Sequence, residues 1–197
     1  DVDAMSKWIG RRWLYNVPKS GLTGVLRRFG RLALVDHAGV VVSKLRRRLN
    51  GLLREQSQDD TPDDAANSPG PLRIVLVGAC SGGTGGGTLL EMAYAVRNVA
   101  AQVGCEDVQV TAVVTHATNR CKTIKQLAQA NAYSFLCEAQ HYQRYGSLSP
   151  EVVAPQAAIY EGETWPIHDL YFCPLGDDLD GEQFTAATEQ IAEYLFA

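Results

Sequence analysis

A run of glycine and threonine at residues 82–88 carries the clearest chemical signal in this sequence. Gly82-Gly83-Thr84-Gly85-Gly86-Gly87-Thr88 places five glycines within six positions. Because glycine has no Cβ, the backbone N–H groups of such a run can approach a ligand closely, and a helix that starts there adds the positive end of its dipole. The run therefore predicts a site for an anion, most often a phosphate group.

The residues around the run predict a strand before it and a helix after it. Ile74 to Val77 is apolar and mostly β-branched, which is typical of a strand that is buried on both faces. From Thr88 onward the chain favours a helix, because its apolar residues recur on one helical face, at Leu89, Met92, Ala93 and Val96. Residues 72–97 thus form a strand, a glycine loop and a helix.

Two common phosphate motifs do not fit this loop. A P-loop needs a lysine directly before its serine or threonine, and no lysine lies between residues 45 and 121. The dinucleotide fingerprint needs a glycine where Thr88 stands and a carboxylate at the end of the next strand, which here ends in Thr115-His116. The phosphate site therefore belongs to another class.

Cys80 offers a different chemistry. The segment 78–82 reads G-x-C-x-G, the spacing of a nucleophile elbow, which makes Cys80 a candidate nucleophile of a cysteine hydrolase. That chemistry needs an acid and then a histidine later in the chain. Glu161 and Glu163 precede His168, but neither follows a convincing strand. The hydrolase stays open as an alternative.

The segment from Ser81 to Leu90 resembles the G-G-G-T-G-[ST]-G signature of the tubulin/FtsZ superfamily, including the Thr-Leu-Leu that follows it in tubulin. Ser81 stands at the first glycine of the signature and Gly86 at its serine or threonine. The chain looks most like the large bacterial tubulin-like proteins. The resemblance implies a three-layer α/β fold, in which helices cover both faces of a mostly parallel, Rossmann-like sheet.

The resemblance also implies a function. It predicts binding of GTP or GDP with Mg²⁺, self-association into filaments or homo-oligomers, and hydrolysis that a neighbouring subunit completes. Relative to the family, the first phosphate loop and the catalytic loop fall outside residues 1–197. We therefore expect a partial nucleotide-binding domain with no catalytic residue of its own. The alternative is a non-catalytic tubulin-like scaffold with weak or no nucleotide binding.

The residues implied to bind nucleotide lie in four segments. A second glycine loop at 21–24 resembles the family's loop near the terminal phosphate. The family uses polar residues near ribose and base in the region of Asn131. Phe184 stands where FtsZ stacks a phenylalanine on guanine, and Thr188 and Glu189 stand at its polar base contacts. The predicted binding set is Gly24, Ser81, Gly82, Gly83, Thr84, Gly85, Gly86, Gly87, Thr88, Asn131, Phe184 and Thr188.

The N-terminal part of the chain is basic, whereas the whole chain carries a net charge of −4. Twelve of the 18 lysines and arginines precede residue 55, against three acids. A charged helix face accounts for this, and nucleic acid is an unlikely partner because few aromatic residues are interleaved. Arg27, Arg28 and Arg31 are also candidates for neutralising phosphate charge.

We expect one domain, divided into a basic helical part at 1–54, an acidic, disordered loop at 55–70 and an α/β core at 71–197. No run approaches 18 apolar residues, so we predict no membrane span. Five cysteines without paired spacing indicate reduced thiols in the cytoplasm and no metal site. The missing initiator methionine suggests a fragment or a processed piece.

The hydrophobic periodicity predicts helices over 31–54, 88–103, 121–145 and 182–197, and strands over 108–114, 157–160 and 169–175. Asp180 is predicted to cap the start of the last helix, and Gly104 is predicted to end the helix over 88–103. His116 is predicted to lie in a loop.

Overall fold

The computed structural model describes residues 9–59, 71–105, 107–145 and 165–196. The predicted strand at 157–160 and residues 60–70 of the predicted acidic loop lie outside these ranges. In chain order the described elements are α1 (Arg11–Leu14), α2 (Arg27–Asp36), α3 (Ala38–Asp59), β1 (Leu72–Ala79), α4 (Gly83–Gln102), β2 (Val108–Ala117), α5 (Lys122–Tyr145), β3 (Asp169–Gly176) and α6 (Gly181–Phe196).

The three strands form one parallel sheet in the order β1-β2-β3. Leu76 is the register partner of Ala112, which in turn pairs with Leu170, so the carboxyl ends of the strands meet at one edge of the sheet. Helices follow each strand, as in other parallel sheets. The predicted fold class, an α/β fold with a parallel sheet flanked by helices, is confirmed.

The core lies between α4 and the sheet. Ala93 and Ala100 of α4 are fully buried, and they belong to the same core cluster as Val110, Ala112 and Val114 of the central strand. Small side chains on the helix let it approach the β-branched strand closely, which removes apolar surface from water without leaving gaps. Helices α3 and α5 extend the same core, through Leu49 and Phe135 respectively.

The opposite face of the sheet is more open among the described residues. Val75 and Val77 of β1 are 50% and 56% exposed, and Tyr171 of β3 is 57% exposed. Val77 and Tyr171 are both register partners of Val113, so they lie in one row across the sheet.

The predicted helix over 31–54 is wrong in its bounds, because the chain forms two helices separated at His37. The N–H of His37 donates to Ala33, whereas its carbonyl accepts from Val40 and Val41 and starts the second helix. Apolar residues keep a helical period across the break, so periodicity could not show it. Helix α3 then runs to Asp59, which places residues 55–59 in a helix rather than in the loop.

Two further bounds differ from the prediction. Helix α4 begins at Gly83 rather than Thr88, so most of the glycine run is helical. Strand β2 extends to Ala117, which places His116 in the strand and not in a loop. The predicted bounds of α5, β3 and α6 agree with the structure to within one residue.

Candidate functional site

The first turn of α4 begins without a side-chain cap. Its N-cap residue is Gly82, with extended backbone angles (φ −90°, ψ 166°) and no capping hydrogen bond from a side chain. The first N–H groups of a helix have no partner within the helix and carry the positive end of its dipole. A Cβ added at Gly82 would meet only the carbonyl oxygen of Ala79, at 3.8 Å. Gly82 therefore leaves open space in front of the helix.

The other glycines of the run pack against protein backbone. A Cβ at Gly85 would lie 2.8 Å from the nitrogen of Ala79, and one at Gly86 would lie 2.6 Å from the carbonyl oxygen of Cys80. Real Cβ atoms do not come so close, so these positions admit only glycine without a backbone shift. The same holds for Gly83, which packs against the segment that leads into α2. It also holds for Gly87, which packs against the backbone of α2 at Arg27 and Arg31. Close backbone packing therefore explains most of the run.

The second glycine loop docks on the start of α4. Gly24 and Val25 both have left-handed backbone angles, with φ of +56° and +66°, and the N–H of Leu26 donates to the carbonyl of Thr23 across this turn. A Cβ at Gly83 would lie 2.8 Å from the nitrogen of Leu26, which shows how tightly the turn sits on the helix. The structure thus brings the region of Gly24 beside the glycine run, although Gly24 itself is not among the residues that line the cleft at this edge of the sheet.

The side chain of Asn131, in α5, bridges these two loops by hydrogen bonds. Its side-chain nitrogen donates to the carbonyl of Val25 at 2.7 Å and to the carbonyl of Ser81 at 3.0 Å. The residue is buried. Both of its amide hydrogens are therefore used within the protein, which differs from the predicted role of Asn131 beside the sugar.

A cleft of about 410 Å³ lies at the carboxyl ends of β1 and β2, between the starts of α5 and α6. This edge is where parallel α/β sheets bind their ligands. Its lining is largely apolar with a few polar groups, and comprises Val25, Ala79, Ser81, Gly82, Ala117, Thr118, Asn119, Ile124, Ala128, Leu179, Asp180, Gly181 and Phe184.

The start of α6 positions the aromatic ring of the cleft. The N–H of Gln183 donates to Asp180 Oδ1 at 2.9 Å, and the N–H of Asp180 donates to Gln183 Oε1 at 3.1 Å. This reciprocal pair is a capping box, and it confirms Asp180 as the N-cap. Phe184 follows in the first turn, 43% exposed and among the lining residues. Aromatic side chains can stack on flat ligand rings, and Phe184 is accessible from the cleft.

The loops that carry the cleft's polar groups are tied to each other. Thr118 Oγ1 donates to Asp177 Oδ1 at 2.7 Å, and Lys125 Nζ lies 2.8 Å from a carboxylate oxygen of Asp178. The hydrogen bond from Lys125 to Asp178 raises the pKa of the lysine. These contacts hold the turn after β3 against the turn after β2 and against the first turn of α5, and so fix two sides of the cleft.

The arginines of α2 are paired with protein groups. Arg27 Nε donates to the carbonyl of Gly86 at 2.7 Å and its guanidinium pairs with Glu138, while Arg31 Nε lies 2.9 Å from Glu91 Oε1. Arg28 lies over the ring of Trp13, 4.5 Å from its centroid. In this arrangement the three arginines contact protein groups and have structural roles, which differs from their predicted role of neutralising phosphate charge.

Cys80 is not placed as a nucleophile. It is 1% exposed, its thiol lies 3.4 Å from the carbonyl oxygen of Thr115, and burial raises its pKa to about 11. Thiolate is the reactive form, and a thiol with this pKa is protonated at neutral pH. The structure thus argues against the hydrolase alternative.

Of the predicted nucleotide ligands, Ser81, Gly82 and Phe184 lie together on the cleft. Three predicted threonine ligands do not line the cleft. Thr84 is exposed, and it accepts a hydrogen bond at its carbonyl from Thr88 Oγ1 at 2.9 Å. The hydroxyl of Thr188 donates to backbone carbonyls of its own helix. Sequence reasoning missed Val25, Thr118, Asn119, Leu179 and Asp180 as lining residues. Their position just after strands was the signal that could have identified the last four.

A family model described as tubulin-like matches residues 1–188. The chain therefore belongs to the tubulin-like family. No curated protein and no solved structure matches it. Within the described residues, no helix has both the length and the apolar character to cross a membrane, and no group of three or more metal-binding side chains is present.

Proposed function

We propose that this tubulin-like protein binds a guanine nucleotide in the cleft at the start of α4 and self-associates when it does so. One observation carries the proposal. The open end of α4 at Gly82 and the exposed ring of Phe184 line the same cleft of about 410 Å³, so a phosphate subsite and an aromatic subsite adjoin each other. Nucleotides need both kinds of subsite.

The phosphate side of the proposal rests on the backbone. The N–H groups of the first turn of α4 have no side-chain cap, and Gly82 leaves space for an anion in front of them. An anion gains hydrogen bonds and a favourable helix dipole at such a position. Mg²⁺ would enter with the phosphates, which supply most of its ligands in many nucleotide sites.

The base side of the proposal rests on Phe184 and Asp180. The ring of Phe184 offers a stacking face, and Asp180 is the one acidic side chain that lines the cleft among the described residues. Oδ1 of Asp180 already caps α6, so Oδ2, which lies 3.6 Å from Arg120 Nη2, is the oxygen that would accept a hydrogen bond from N1 or N2 of guanine. Adenine presents no donor at N1. We therefore expect the cleft to prefer guanine.

The lining of the cleft also supports the proposal that GTP hydrolysis requires a residue from an adjacent subunit. No second carboxylate among the described lining residues stands ready to orient a water molecule. Hydrolysis within a single subunit would therefore be slow, and a carboxylate from an adjacent subunit would accelerate it by positioning the water. Self-association into filaments and this division of the catalytic site both rest on membership of the tubulin-like family.

A scaffold without nucleotide is the second candidate, and one observation favours it. Gly83, Gly85, Gly86 and Gly87 are each needed for backbone packing, so the glycine run would be required even in a protein that binds no phosphate. Substitutions at these four glycines would disturb the fold and cannot separate the two candidates.

Gly82 separates them, because a side chain there meets open space. We would titrate GTP, GDP and ATP, each with Mg²⁺, into the protein of residues 1–197 and its Gly82→Val variant by calorimetry. The control is Gly51→Val in α3, where a Cβ also meets nothing within 4 Å. The proposal expects guanine-selective binding that Gly82→Val weakens at least about tenfold, with both variants folded. Absence of binding heat at millimolar GTP in the folded wild type would support the scaffold.

A further inference from the structure

Two loops that are far apart in sequence form adjoining walls of the cleft. Val25 comes from the turn before α2, and Ser81 comes from the turn before α4. The turn of Val25 packs closely on Gly83 of α4, through the side chain of Thr23 and the backbone nitrogen of Leu26. A third group holds both loops, and it lies on neither of them.

That group is the side-chain amide of Asn131. Both of its partners, the carbonyls of Val25 and Ser81, are hydrogen-bond acceptors, so the amide nitrogen must face them and uses both of its hydrogens. Asn131 is buried and is not among the residues that line the cleft. It therefore acts on the cleft only through the two loops that it joins.

The backbone of Val25 shows that this loop does not relax to an ordinary conformation. Its φ of +66° lies in the left-handed region, which β-branched residues almost never adopt. Such conformations persist only where the surroundings hold them, and they concentrate at ligand-binding sites. The hydrogen bond from Asn131 ends on the carbonyl of this same residue, at 2.7 Å.

We infer that Asn131 is a positioning residue, which locks the turn of residues 23–26 in its left-handed form against Ser81 and thereby sets the shape of the nucleotide cleft. The inference rests on the proposed function for the identity of the ligand. The locking of the loop is a property of the protein alone and can be measured without any ligand.

The first test is hydrogen exchange by mass spectrometry on the ligand-free protein of residues 1–197. Asn131→Asp keeps the side-chain shape but turns carboxylate oxygens toward two carbonyl oxygens, and Asn131→Ala removes the side chain. The control is Ser134→Ala on the same helix, where the hydroxyl donates to the carbonyl of Ala130, within the helix itself. We expect exchange at least tenfold faster in a peptide covering 22–26 in both Asn131 variants. Exchange at the wild-type rate there would overturn the inference.

The second test separates positioning from general stabilisation. Val25→Gly removes the steric cost of the left-handed backbone, so the loop needs the lock less. We expect Asn131→Ala to lower GTP affinity at least tenfold well below its melting temperature, and Val25→Gly to restore part of that loss in the double variant. A merely structural Asn131 would show the same loss with or without Val25→Gly, which would contradict the inference.

The two tests also distinguish the two proposals. If the wild type binds no GTP while loop exchange still depends on Asn131, the proposed function fails and the locking of the loop stands. If GTP binds while hydrogen exchange in the 22–26 peptide is the same with and without Asn131, the inference about Asn131 is wrong and the proposed function stands.

Discussion

Gly30 of α2 lies directly on Gly83, the first residue of α4. A Cβ at Gly30 would clash with the carbonyl oxygen of Gly83 and lie 3.0 Å from its carbonyl carbon. The two helices therefore cross with their backbones in contact. This crossing brings the turn before α2 to the open end of α4, so one wall of the cleft depends on a pair of glycines outside it.

This crossing predicts a large effect of one methyl group. We expect Gly30→Ala to destabilise the protein by about 3 kcal/mol, because the backbone of α4 cannot move aside as a flexible side chain would. Urea unfolding followed by circular dichroism measures the change. The control is Gly51→Ala in α3, where a Cβ meets nothing within 4 Å. It should stabilise the protein by about 0.5–1 kcal/mol. An equal, small effect at both positions would contradict the crossing.

The buried pair of Arg31 and Glu91 predicts a stability change that depends on pH. Burial raises the pKa of Glu91 above its ordinary value of 4.5, despite the nearby charge of Arg31. An acid whose folded pKa is raised costs no stability below pH 4.5, and costs progressively more as pH rises from 4.5 through the folded pKa. Removing Arg31 must enlarge that cost.

We therefore expect Arg31→Met to destabilise the protein by roughly 3 kcal/mol at pH 7, since it leaves a buried carboxylate without its partner. The loss should shrink as pH falls through the raised pKa of Glu91, because the protonated carboxyl is neutral and no longer needs a cationic partner. The double variant with Glu91→Met should regain most of the stability at pH 7. Urea midpoints at several pH values test this, and a pH-independent loss for Arg31→Met would contradict it.

Cys80 predicts a test of thiol reactivity. Because burial raises its pKa to about 11, Cys80 should resist iodoacetamide at pH 8 in the folded protein and react only after denaturation. Its contribution to stability is intact below its ordinary pKa of 9.0 and declines as pH rises from there to about 11. Cys121 and Cys137 are exposed and serve as internal controls. Rapid native labelling of Cys80, located by peptide mass spectrometry, would contradict the structure.

The capping box at the start of α6 predicts a modest, local effect. Asp180→Ala removes the acceptor for the N–H of Gln183, and should cost about 1 kcal/mol of unfolding free energy. Glu193→Ala, later on the same helix, removes a comparable charge without a capping role and should change stability by less than about 0.5 kcal/mol. Thermal unfolding of both variants measures the difference, and equal melting temperatures would show that the cap contributes nothing.

The sequence predicted the elements that have a strong local signal. The strand–glycine–helix unit, the parallel order of strands and the cap at Asp180 all follow from periodicity and from the position of turn and capping residues. The break at His37 escaped prediction because the apolar period continues across it. The start of α4 at Gly83 escaped it because glycine disfavours helix, and only tertiary packing can outweigh that preference.

The residues alone determined the family resemblance and predicted an anion-binding loop at residues 81–88. Tertiary structure decided which part of that loop remains available. Four of its glycines pack against other segments so closely that a Cβ would clash, whereas a Cβ at Gly82 would meet open space. Contacts such as that of Asn131 with Val25 join residues 106 positions apart. No local pattern encodes them, because they exist only once the core has brought α5 behind the two loops.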